Sequence, residues 1–531
     1  MSITSITIEN FKGIRGPVRV ELKPITLLFG PNSAGKSTII QALHYAQEVF
    51  EHHNLNADRT FTGGDSVDLG GFRNIVHNHD TKLPIKLRFD FRFDVNNMDE
   101  FPYLDVGLTH EESESEHCLN FYWDMIENGL MPWLEVTISW SSFLEKPLIT
   151  SYKTGFGEML FAETTAREDG EKRALSFLDL KSPVFLTDKG DSIVHRYLGT
   201  VIRDAENNIL ELNLDRWHKS VLPQQPTVLF SDIHRRLDGI ADIPIFKTLA
   251  RFTALLSSLL LSPVEYLREE LRKFRYIGPL RKVPVREYTP ALTNSPVHWS
   301  DGLAAWDKMY KLDPSFINKV NDWLRNRLET GYSVKVKEYV ELETDSSLML
   351  AVKQGCNFDE GVDLQSLLAL PVKRRVLIKD EAMNIELSPH DIGVGISQFI
   401  PVVVLALNFR QGILAIEQPE LHIHPALQVA LGDLFIEEII PNSDNNINGG
   451  KIFLLETHSE HLMLRFLRRI RETGEGEAPE NRSLTPTDLS ICFIERGENG
   501  ISCLPIRVDE QGDFIDRWPK GFFNERAREL F

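Results

Sequence analysis

The chain has 531 residues, of which 42% are hydrophobic and 25% charged, a composition ordinary for a globular protein with roughly two to four structural units. The net charge of −19 excludes a protein that coats nucleic acid with its whole surface, although a local basic patch could still bind it. No signal peptide is visible, and the longest apolar stretches (residues 253–264 and 399–407) are shorter than the roughly twenty residues that cross a bilayer, so we expect a cytoplasmic protein without a membrane partner.

The first fifty residues predict strands, a glycine loop and a helix. Residues 2–8 and 18–22 alternate between apolar and polar side chains, as half-buried strands do. Residues 25–29 are a short apolar run followed by turn residues, which indicates a buried strand. From Ser37 onward the apolar residues have helical spacing, so the order is strand, glycine loop, helix.

The next part of the chain has weaker patterns. Residues 87–95 and 133–142 alternate as strands do, while the acidic residues 104–118 indicate an exposed loop. Residues 150–240 are interpreted as irregular, with further short strands.

Two helices are predicted before the C-terminal third. Apolar residues form one stripe over residues 245–274, where Pro263 is expected to break or restart the helix, and a second helix is predicted over residues 314–328. No heptad repeat is sustained for three or four heptads, so we do not expect a long coiled-coil arm.

The C-terminal third again shows strong patterns. Residues 393–397 form a glycine-containing turn before an apolar helix, and residues 412–416 form a buried strand that ends in an acid. A helix over 427–439, a polar loop over 442–450 and a buried strand over 452–455 follow. Strands and helices alternate at both ends of the chain, which predicts one α/β sheet built from the two ends, with the middle as an insertion.

The glycine loop has the spacing of a phosphate-binding loop, G-x-x-x-x-G-K-[ST], over residues 30–37. Its glycines let backbone N–H groups point inward, Lys36 can reach the β and γ phosphates, and the Ser37 hydroxyl can bind magnesium. A glycine turn before an ordinary helix would look similar, but the position between a strand and a helix favours ATP and Mg²⁺. The predicted nucleotide-binding residues are Asn32, Ser33, Ala34, Gly35, Lys36, Ser37 and Thr38.

A phosphate loop needs a carboxylate across the site to hold magnesium, and Glu417, at the end of strand 412–416, fits that role. A catalytic carboxylate is expected at the next position, where the chain has Gln418. Glutamine can orient a water molecule but cannot accept its proton, so we predict slow hydrolysis, with Glu420 as a substitute base.

Two further segments could complete the site. Gly393, Gly395 and Ser397 form a glycine-serine turn that opens a helix, a second design for binding anions, although many ordinary helices begin this way. His458 follows the strand at 452–455 and could donate a hydrogen bond to a γ phosphate, or simply cap a helix.

Metal binding elsewhere is not favoured. His422 and His424 lie two residues apart without a compact third ligand, a pattern more often found in structural or surface residues than in zinc sites. The four cysteines are far apart and are interpreted as ordinary thiols in a reducing compartment.

In this order the motifs resemble the ABC-type ATPase heads of the SMC, RecF and OLD group. Residues 8–13 (IENFKG) are similar to the first strand and turn of that group, residues 417–425 (EQPELHIHP) to its acidic segment, and residues 457–459 (THS) to its switch-histidine segment. Residues 276–281 (YIGPLR) and 518–523 (WPKGFF) look like segments of a bacterial subfamily that lacks a nuclease domain. Gln418 departs from the glutamate of the group.

The resemblance implies an α/β P-loop NTPase fold, an ABC/SMC-type head. A large α+β insertion would lie between the phosphate loop and the glycine-serine turn at residues 393–397, which is called the signature turn below. The expected division is an N-terminal ATPase half (1–95), an insertion (96–275) and a C-terminal ATPase half (276–531). It also implies a head-to-tail homodimer, in which each ATP lies between Lys36 and Ser37 of one chain and Gly395 and Ser397 of the other. ATP would then favour the closed dimer.

The resemblance extends to the ATPase component of bacterial anti-phage systems such as Septu, PARIS and OLD-like pairs, which implies an ATP-gated sensor or regulator of a separate effector, expected to be a nuclease. The alternative is an ATPase that clamps DNA in repair or maintenance, for which a steep loss of DNA affinity with salt would be diagnostic. A self-contained OLD-type nuclease is set aside, because too few residues follow His458 for such a domain. Basic residues available for DNA, interleaved with acids, are Arg268, Arg272, Lys273, Arg275, Arg281, Lys282, Arg286, Lys373, Arg374, Arg375, Arg465, Arg468, Arg469 and Arg471.

Overall fold

The structure is a computed structural model. It describes residues 2–92, 131–166, 173–179, 260–286, 288, 290, 297–311, 313–346, 349–350, 353, 370–440 and 450–519. The predicted acidic loop over 104–118 lies outside these residues, as does nearly all of the polar loop over 442–450.

A six-stranded sheet forms the centre of the fold. Its strands lie in the order β11 (Arg275–Ile277), β15 (Gly412–Glu417), β16 (Lys451–Glu456), β3 (Ile25–Phe29), β17 (Leu489–Gly497) and β18 (Gly500–Pro505). All neighbours are parallel except β17 and β18, which form an antiparallel hairpin. Because β3 comes from the start of the chain and the other strands from its second half, the α/β fold built from two chain ends is confirmed.

The central sheet is buried on both faces, as a parallel sheet must be. Along β15, Ile413 and Ala415 belong to one apolar core, while Leu414 and Ile416 belong to the other. This explains why the strand reads as a continuous apolar run rather than an alternating one.

A seven-stranded antiparallel sheet packs against the first of these cores. Its order is β10 (Arg173–Leu178), β9 (Met159–Ala166), β8 (Lys146–Phe156), β7 (Pro132–Ser141), β6 (Ile85–Arg92), β1 (Ser2–Glu9) and β2 (Val18–Glu21). Residues 150–240 were predicted to be irregular with further short strands. Where the chain is described, the strands are confirmed, but the irregular character is wrong, because β8, β9 and β10 pair in one regular sheet. Residues 167–172 and 180–240 lie outside the described part.

Two small sheets complete the strands. The first orders β12 (Tyr332–Tyr339), β13 (Lys373–Asp380) and β14 (Ile385–Leu387), and the second pairs β4 (Arg59–Thr60) with β5 (Gly64–Asp68). The three-stranded sheet contributes Val334, Val376 and Ile378 to the second apolar core.

The helices are α1 (Lys36–Phe50), α2 (Phe72–Ile75), α3 (residues 260–272), α4 (Val297–Ser300), α5 (Leu303–Tyr310), α6 (Pro314–Asp322), α7 (Val394–Asn408), α8 (Pro425–Ile439) and α9 (Glu460–Gly474). A π turn at Trp323–Arg327 extends α6, and single 3₁₀ turns lie at His77–His79, Pro389–Asp391 and Glu480–Arg482. The helix predicted over 314–328 is therefore confirmed. In α3 the described helix runs continuously through Pro263. None of the described helices combines the length and apolar character needed to span a membrane.

Cys492 and Cys503 are diagonal neighbours on the hairpin of β17 and β18. They form a disulfide, with their Cα atoms 5.7 Å apart, a separation within the usual range for this bond. The expectation of ordinary thiols is therefore wrong for this pair, since the pairing of the two strands is not visible from cysteine spacing.

Helix α1 is buried along almost its entire length between the central sheet and the seven-stranded sheet. Its His44 is fully buried, and Nδ1 lies 2.8 Å from the Thr62 hydroxyl oxygen. The ring packs edge-on against Phe274 and Tyr276, at centroid distances of 5.0 and 4.7 Å. Burial lowers the pKa of His44 from 6.5 to about 3, so the folded protein holds a neutral imidazole.

We therefore expect acid to destabilise the protein through His44. Above pH 6.5 the His44 imidazole is neutral in both the folded and the unfolded protein, so its burial has no protonation cost. As pH falls from 6.5 toward 3, only the unfolded protein binds a proton at this residue, and by pH 5 the free energy of unfolding should fall by about 2 kcal/mol. Urea unfolding of wild type and His44→Asn at pH 5 and pH 8 measures this. The variant should show a flatter pH dependence, and the exposed control His79→Asn should not. An equal loss in wild type and His44→Asn would refute the assignment.

Candidate functional site

The phosphate loop leaves β3 at Phe29 and enters α1 at Lys36. Gly30 and Gly35 have φ of +148° and +105°, conformations that side chains rarely adopt. A Cβ on Gly30 would overlap the carbonyl oxygen of Ile494, so the loop packs directly against β17. The glycines of the motif are therefore required by the backbone conformation and by this close approach.

The predicted loop residues differ in exposure. Asn32 and Ser33 are exposed, whereas Ala34 and Thr38 are buried. The N–H groups of Ala34 and Thr38 donate within the loop, to the carbonyl oxygens of Pro31 (3.2 Å) and Gly35 (3.0 Å).

Lys36 is buried beneath the loop. Its ammonium group donates to the carbonyl oxygens of Gly30 (3.0 Å) and Pro31 (2.9 Å). Burial lowers its pKa, while the carboxylates of Glu456, Glu420 and Glu417 act in the opposite direction. A cation here, surrounded by loop backbone, suits the binding of a triphosphate.

Two carboxylates lie at the end of neighbouring strands beside the loop. Glu417 ends β15 and accepts a hydrogen bond from the Tyr276 hydroxyl, with an O···O distance of 3.0 Å. Glu456 ends β16 and accepts from the Ser37 hydroxyl at 2.7 Å. Burial, and then the charge of Glu456, raises the pKa of Glu417 to about 7.

Sequence reasoning missed the position of Glu456. The signal was available, because the rule that selected Glu417, an acid at the end of a buried strand, applies equally to Glu456. Tyr276 was quoted only as part of a resembling segment, and its contact with Glu417 depends on the pairing of β11 with β15.

Gln418, Glu420 and His458 lie in the turns that follow β15 and β16. Gln418 has φ of +46°, and its N–H donates to the carbonyl oxygen of Glu456 at 2.7 Å. Glu420 Oε1 accepts from the backbone N–H of His458 at 2.8 Å. In the described part of the chain, Glu420 Oε2 and His458 Nε2 are buried without a hydrogen-bond partner. Burial raises the pKa of Glu420 and lowers that of His458.

These two unsatisfied atoms test whether the site suits a bound nucleotide. A buried polar atom without a partner is costly, and such atoms often mark the place of a ligand or ion. Both residues interact electrostatically with Lys36: the Glu420 carboxylate raises the pKa of Lys36, and the Lys36 charge lowers the pKa of His458. The residues present therefore fit a triphosphate with a divalent cation.

Arg281 connects the turn that follows β15 with helix α7, which begins at the signature turn. Its guanidinium group donates to the carbonyl oxygens of Glu417 (2.7 Å) and Gln418 (3.2 Å), and its own N–H donates to the side chain of Gln398 on α7 at 2.8 Å. The side chain is buried, which lowers its pKa to about 10. Sequence reasoning placed Arg281 among possible DNA contacts, but in the structure its side chain is buried and hydrogen-bonded within the protein.

The signature turn opens α7. Gly393 is exposed, whereas Gly395 lies so close to the His422 carbonyl oxygen that a Cβ would overlap it. Ser397 is buried in the first turn, where its hydroxyl donates to the carbonyl oxygen of Val394 at 3.1 Å. Among the described residues, no hydrogen bond joins this turn to the phosphate loop of the same chain.

Most of the other predicted candidates have structural partners. His424 caps α8 by accepting from the Ala426 N–H at 3.3 Å, and no group of three metal-ligating side chains occurs in the described ranges. Of the basic residues considered for DNA, Arg275 donates to backbone carbonyls and Arg375 lies over the Tyr339 ring. Those that pair with carboxylates are Arg268, Arg272, Lys273, Lys282, Arg286, Lys373, Arg374, Arg465, Arg468 and Arg469.

The final described segment packs beside the phosphate loop. The Trp518 ring lies 5.8 Å from that of Phe29, the last residue of β3, and 5.9 and 5.2 Å from those of Phe493 and Phe514 (centroid distances). This contact joins the two ends of the chain at the base of the site.

Solved structures that are similar to this chain include SMC head domains, all at low sequence identity. An SMC head bound to the C-winged helix domain of ScpA has 9% identity and a TM-score of 0.38, covering 96% of this chain and 99% of that one. The SMC head domain from Thermotoga maritima has 10% identity and a TM-score of 0.35, covering 96% and 100%. An Smc head with an extended coiled coil, bound to the C-terminal domain of ScpA from Pyrococcus furiosus, has 10% identity and a TM-score of 0.35. The match covers 95% of this chain and 96% of that one. Scores this low carry no argument about function.

Family models give a firmer result. The model described as "AAA ATPase domain" matches residues 1–178 and 305–463, more than half of the chain. A model described as "Protein of unknown function (DUF3696)" matches residues 484–531, the region that contains Trp518. No curated protein matches. The chain therefore belongs to the AAA ATPase domain family and is an ATP-binding ATPase of the P-loop type.

Proposed function

We propose that this protein is a slowly hydrolysing ATPase head of the ABC/SMC type, which uses ATP and Mg²⁺ as a conformational latch to regulate a partner effector in bacterial anti-phage defence. The observation that carries the proposal is the site itself: the phosphate loop, the strand-end carboxylates and His458 converge, with buried polar atoms left for a ligand. The expected location is the cytoplasm.

The chain's own residues account for binding. Lys36 would exchange its two loop carbonyls for phosphate oxygens, which are stronger, charged acceptors. Ser37 and Glu417 would hold magnesium, and His458 Nε2 would donate to the γ phosphate. A bound magnesium ion would supply neutralisation of phosphate charge.

Slow hydrolysis follows from Gln418. Phosphoryl transfer depends largely on positioning, and the Gln418 amide can position water without accepting its proton. Glu420, the candidate substitute base, is held by the His458 N–H through one oxygen, and its other oxygen has no partner in the described part of the chain.

Gln418→Glu should therefore raise the steady-state ATPase rate by about tenfold or more, because general base catalysis typically contributes 10² to 10⁴. The substitution nearly preserves side-chain size, and the backbone is fixed by the bond from the Gln418 N–H to Glu456. Gln411→Glu, just before β15, is the matched control and should leave the rate unchanged. No gain in rate for Gln418→Glu would sink this interpretation of Gln418.

A head-to-tail dimer would complete the site. The first turn of α7 presents exposed Gly393 and Val394, and the N–H groups at a helix N-terminus favour anions. ATP between Lys36 of one copy and this turn of the other would then favour the closed state.

The regulatory part of the proposal rests on the resemblance to anti-phage ATPase components. The test is copurification of the untagged product of the neighbouring gene with this chain, with and without ATP. Nucleotide-dependent recovery is expected, and recovery of no partner under either condition would oppose a regulatory subunit.

A further inference from the structure

Glu456 lies between the strand that leads to the phosphate loop and the strand that ends in Glu417. In the parallel register it is opposite Glu417 on one side and Leu28 on the other. Directly paired residues on neighbouring parallel strands project to the same face of the sheet, so the two carboxylates lie side by side. They do so at the carboxyl end of the strands, where open α/β sheets bind their ligands.

Glu456 has the contact with the loop that a metal-holding carboxylate needs. It accepts from the Ser37 hydroxyl at 2.7 Å, whereas the described hydrogen bond to Glu417 comes from Tyr276. The Glu456 carbonyl oxygen also accepts from the Gln418 N–H at 2.7 Å. The residue therefore touches both the phosphate loop and the turn in which Gln418 replaces the expected acid.

In the described part of the chain, no cationic side chain is within ion-pair distance (4 Å) of either carboxylate, and Lys36 acts on both only through its charge. Glu456 is only 6% exposed. Lys36, the nearby cation, donates to Gly30 and Pro31 instead. Buried charges of like sign are costly unless a cation joins them. Two carboxylates and a hydroxyl are hard oxygen ligands, which magnesium prefers.

We propose that Glu456 is a second carboxylate of the magnesium site, which holds the ion together with Glu417 and Ser37. This assignment rests on the proposed function, because it assumes that the phosphate loop binds ATP with magnesium. It predicts that the charge of Glu456, not only its hydrogen bond, is required for metal affinity.

A purely structural role is the competing explanation. Glu456 would then only accept the hydrogen bond that orients Ser37, and glutamine could do the same through its amide oxygen. Glu456→Gln therefore removes the charge and keeps the acceptor. Glu456→Asp keeps the charge and shortens the side chain.

The experiment measures Mn²⁺ affinity by electron paramagnetic resonance, with the full chain and a non-hydrolysable ATP analogue. Glu456→Gln and Glu417→Gln should each weaken Mn²⁺ binding by about tenfold or more, since even outer-shell changes cost 10- to 100-fold. Glu456→Asp should lose less than Glu456→Gln. Glu386→Gln, on β14 of the three-stranded sheet, should match wild type. Binding of the analogue in EDTA should be retained by every variant, which shows that the fold is intact.

The outcomes distinguish a failure of the Glu456 assignment from a failure of the proposed function. Wild-type Mn²⁺ affinity in Glu456→Gln, with a loss in Glu417→Gln, would overturn the assignment of Glu456 and leave ATP binding standing. If Glu456→Gln does not fold, Glu456→Ala takes its place, and wild-type Mn²⁺ affinity in a folded Glu456→Ala protein would also overturn the assignment. A wild-type protein that binds no analogue at any Mn²⁺ concentration would overturn the proposed function, and this assignment with it.

Discussion

Replacing Lys36 by methionine should weaken ATP binding by about 100-fold or more. Lys36 now makes two hydrogen bonds to loop carbonyls, at 3.0 and 2.9 Å, and in the complex would make them to phosphate. A hydrogen bond to a charged group is worth about 1.5–3 kcal/mol, and two of them correspond to at least this loss. Methionine has similar length and keeps the apolar packing of the stem.

Fluorescence titration with a labelled ATP analogue measures the effect, and the melting temperature without nucleotide shows whether the variant is folded. Lys335→Met is the matched control, because Lys335 forms an exposed ion pair with Glu386 far from the loop in the chain, on the three-stranded sheet. Wild-type affinity in Lys36→Met would contradict the assignment of this loop as the nucleotide site.

Replacing Gly393 by aspartate should abolish ATP-dependent dimerisation while leaving ATP binding by the single chain intact. A Cβ on Gly393 meets nothing within 4 Å, and its backbone, with φ of −56° and ψ of 137°, suits any residue. The new carboxylate would therefore not disturb the fold. In the closed dimer it would face the partner's triphosphate, where like charges repel strongly.

Analytical ultracentrifugation with and without ATP measures this effect. Gly16→Asp is the matched control, because Gly16 is also exposed and a Cβ there also meets nothing within 4 Å. Wild type and Gly16→Asp should dimerise with ATP, and Gly393→Asp should remain monomeric. If Gly393→Asp dimerises as wild type does, the signature turn does not contribute to the interface.

Much of the fold could be predicted because its strongest signals are local. The strand at residues 25–29 matches β3 residue for residue, since a continuous apolar run between turn residues has few other solutions. The strand ending in Glu417 was predicted for the same reason. The predicted domain boundaries remain predictions, as do the roles of the site residues.

The rest depends on contacts between distant parts of the chain. Residues 150–240 were predicted to be irregular with further short strands, yet β8, β9 and β10 form a regular sheet, because they pair with one another and with β7. The contacts of Tyr276, Arg281 and Glu456 arise only when β11, β15, β16 and α7 come together. Their residue types were visible in the sequence, but their neighbours were not.

The composite site between two copies is tested most directly by mixing Lys36→Met with Gly393→Asp. Neither variant alone can form an intact site in a dimer with itself. A mixed dimer has one intact site, made from the phosphate loop of the Gly393→Asp chain and the signature turn of the Lys36→Met chain. Sedimentation of the mixture with ATP should therefore show a dimer that both separate proteins lack. A mixture that stays as monomeric as its components would contradict a nucleotide shared between two chains.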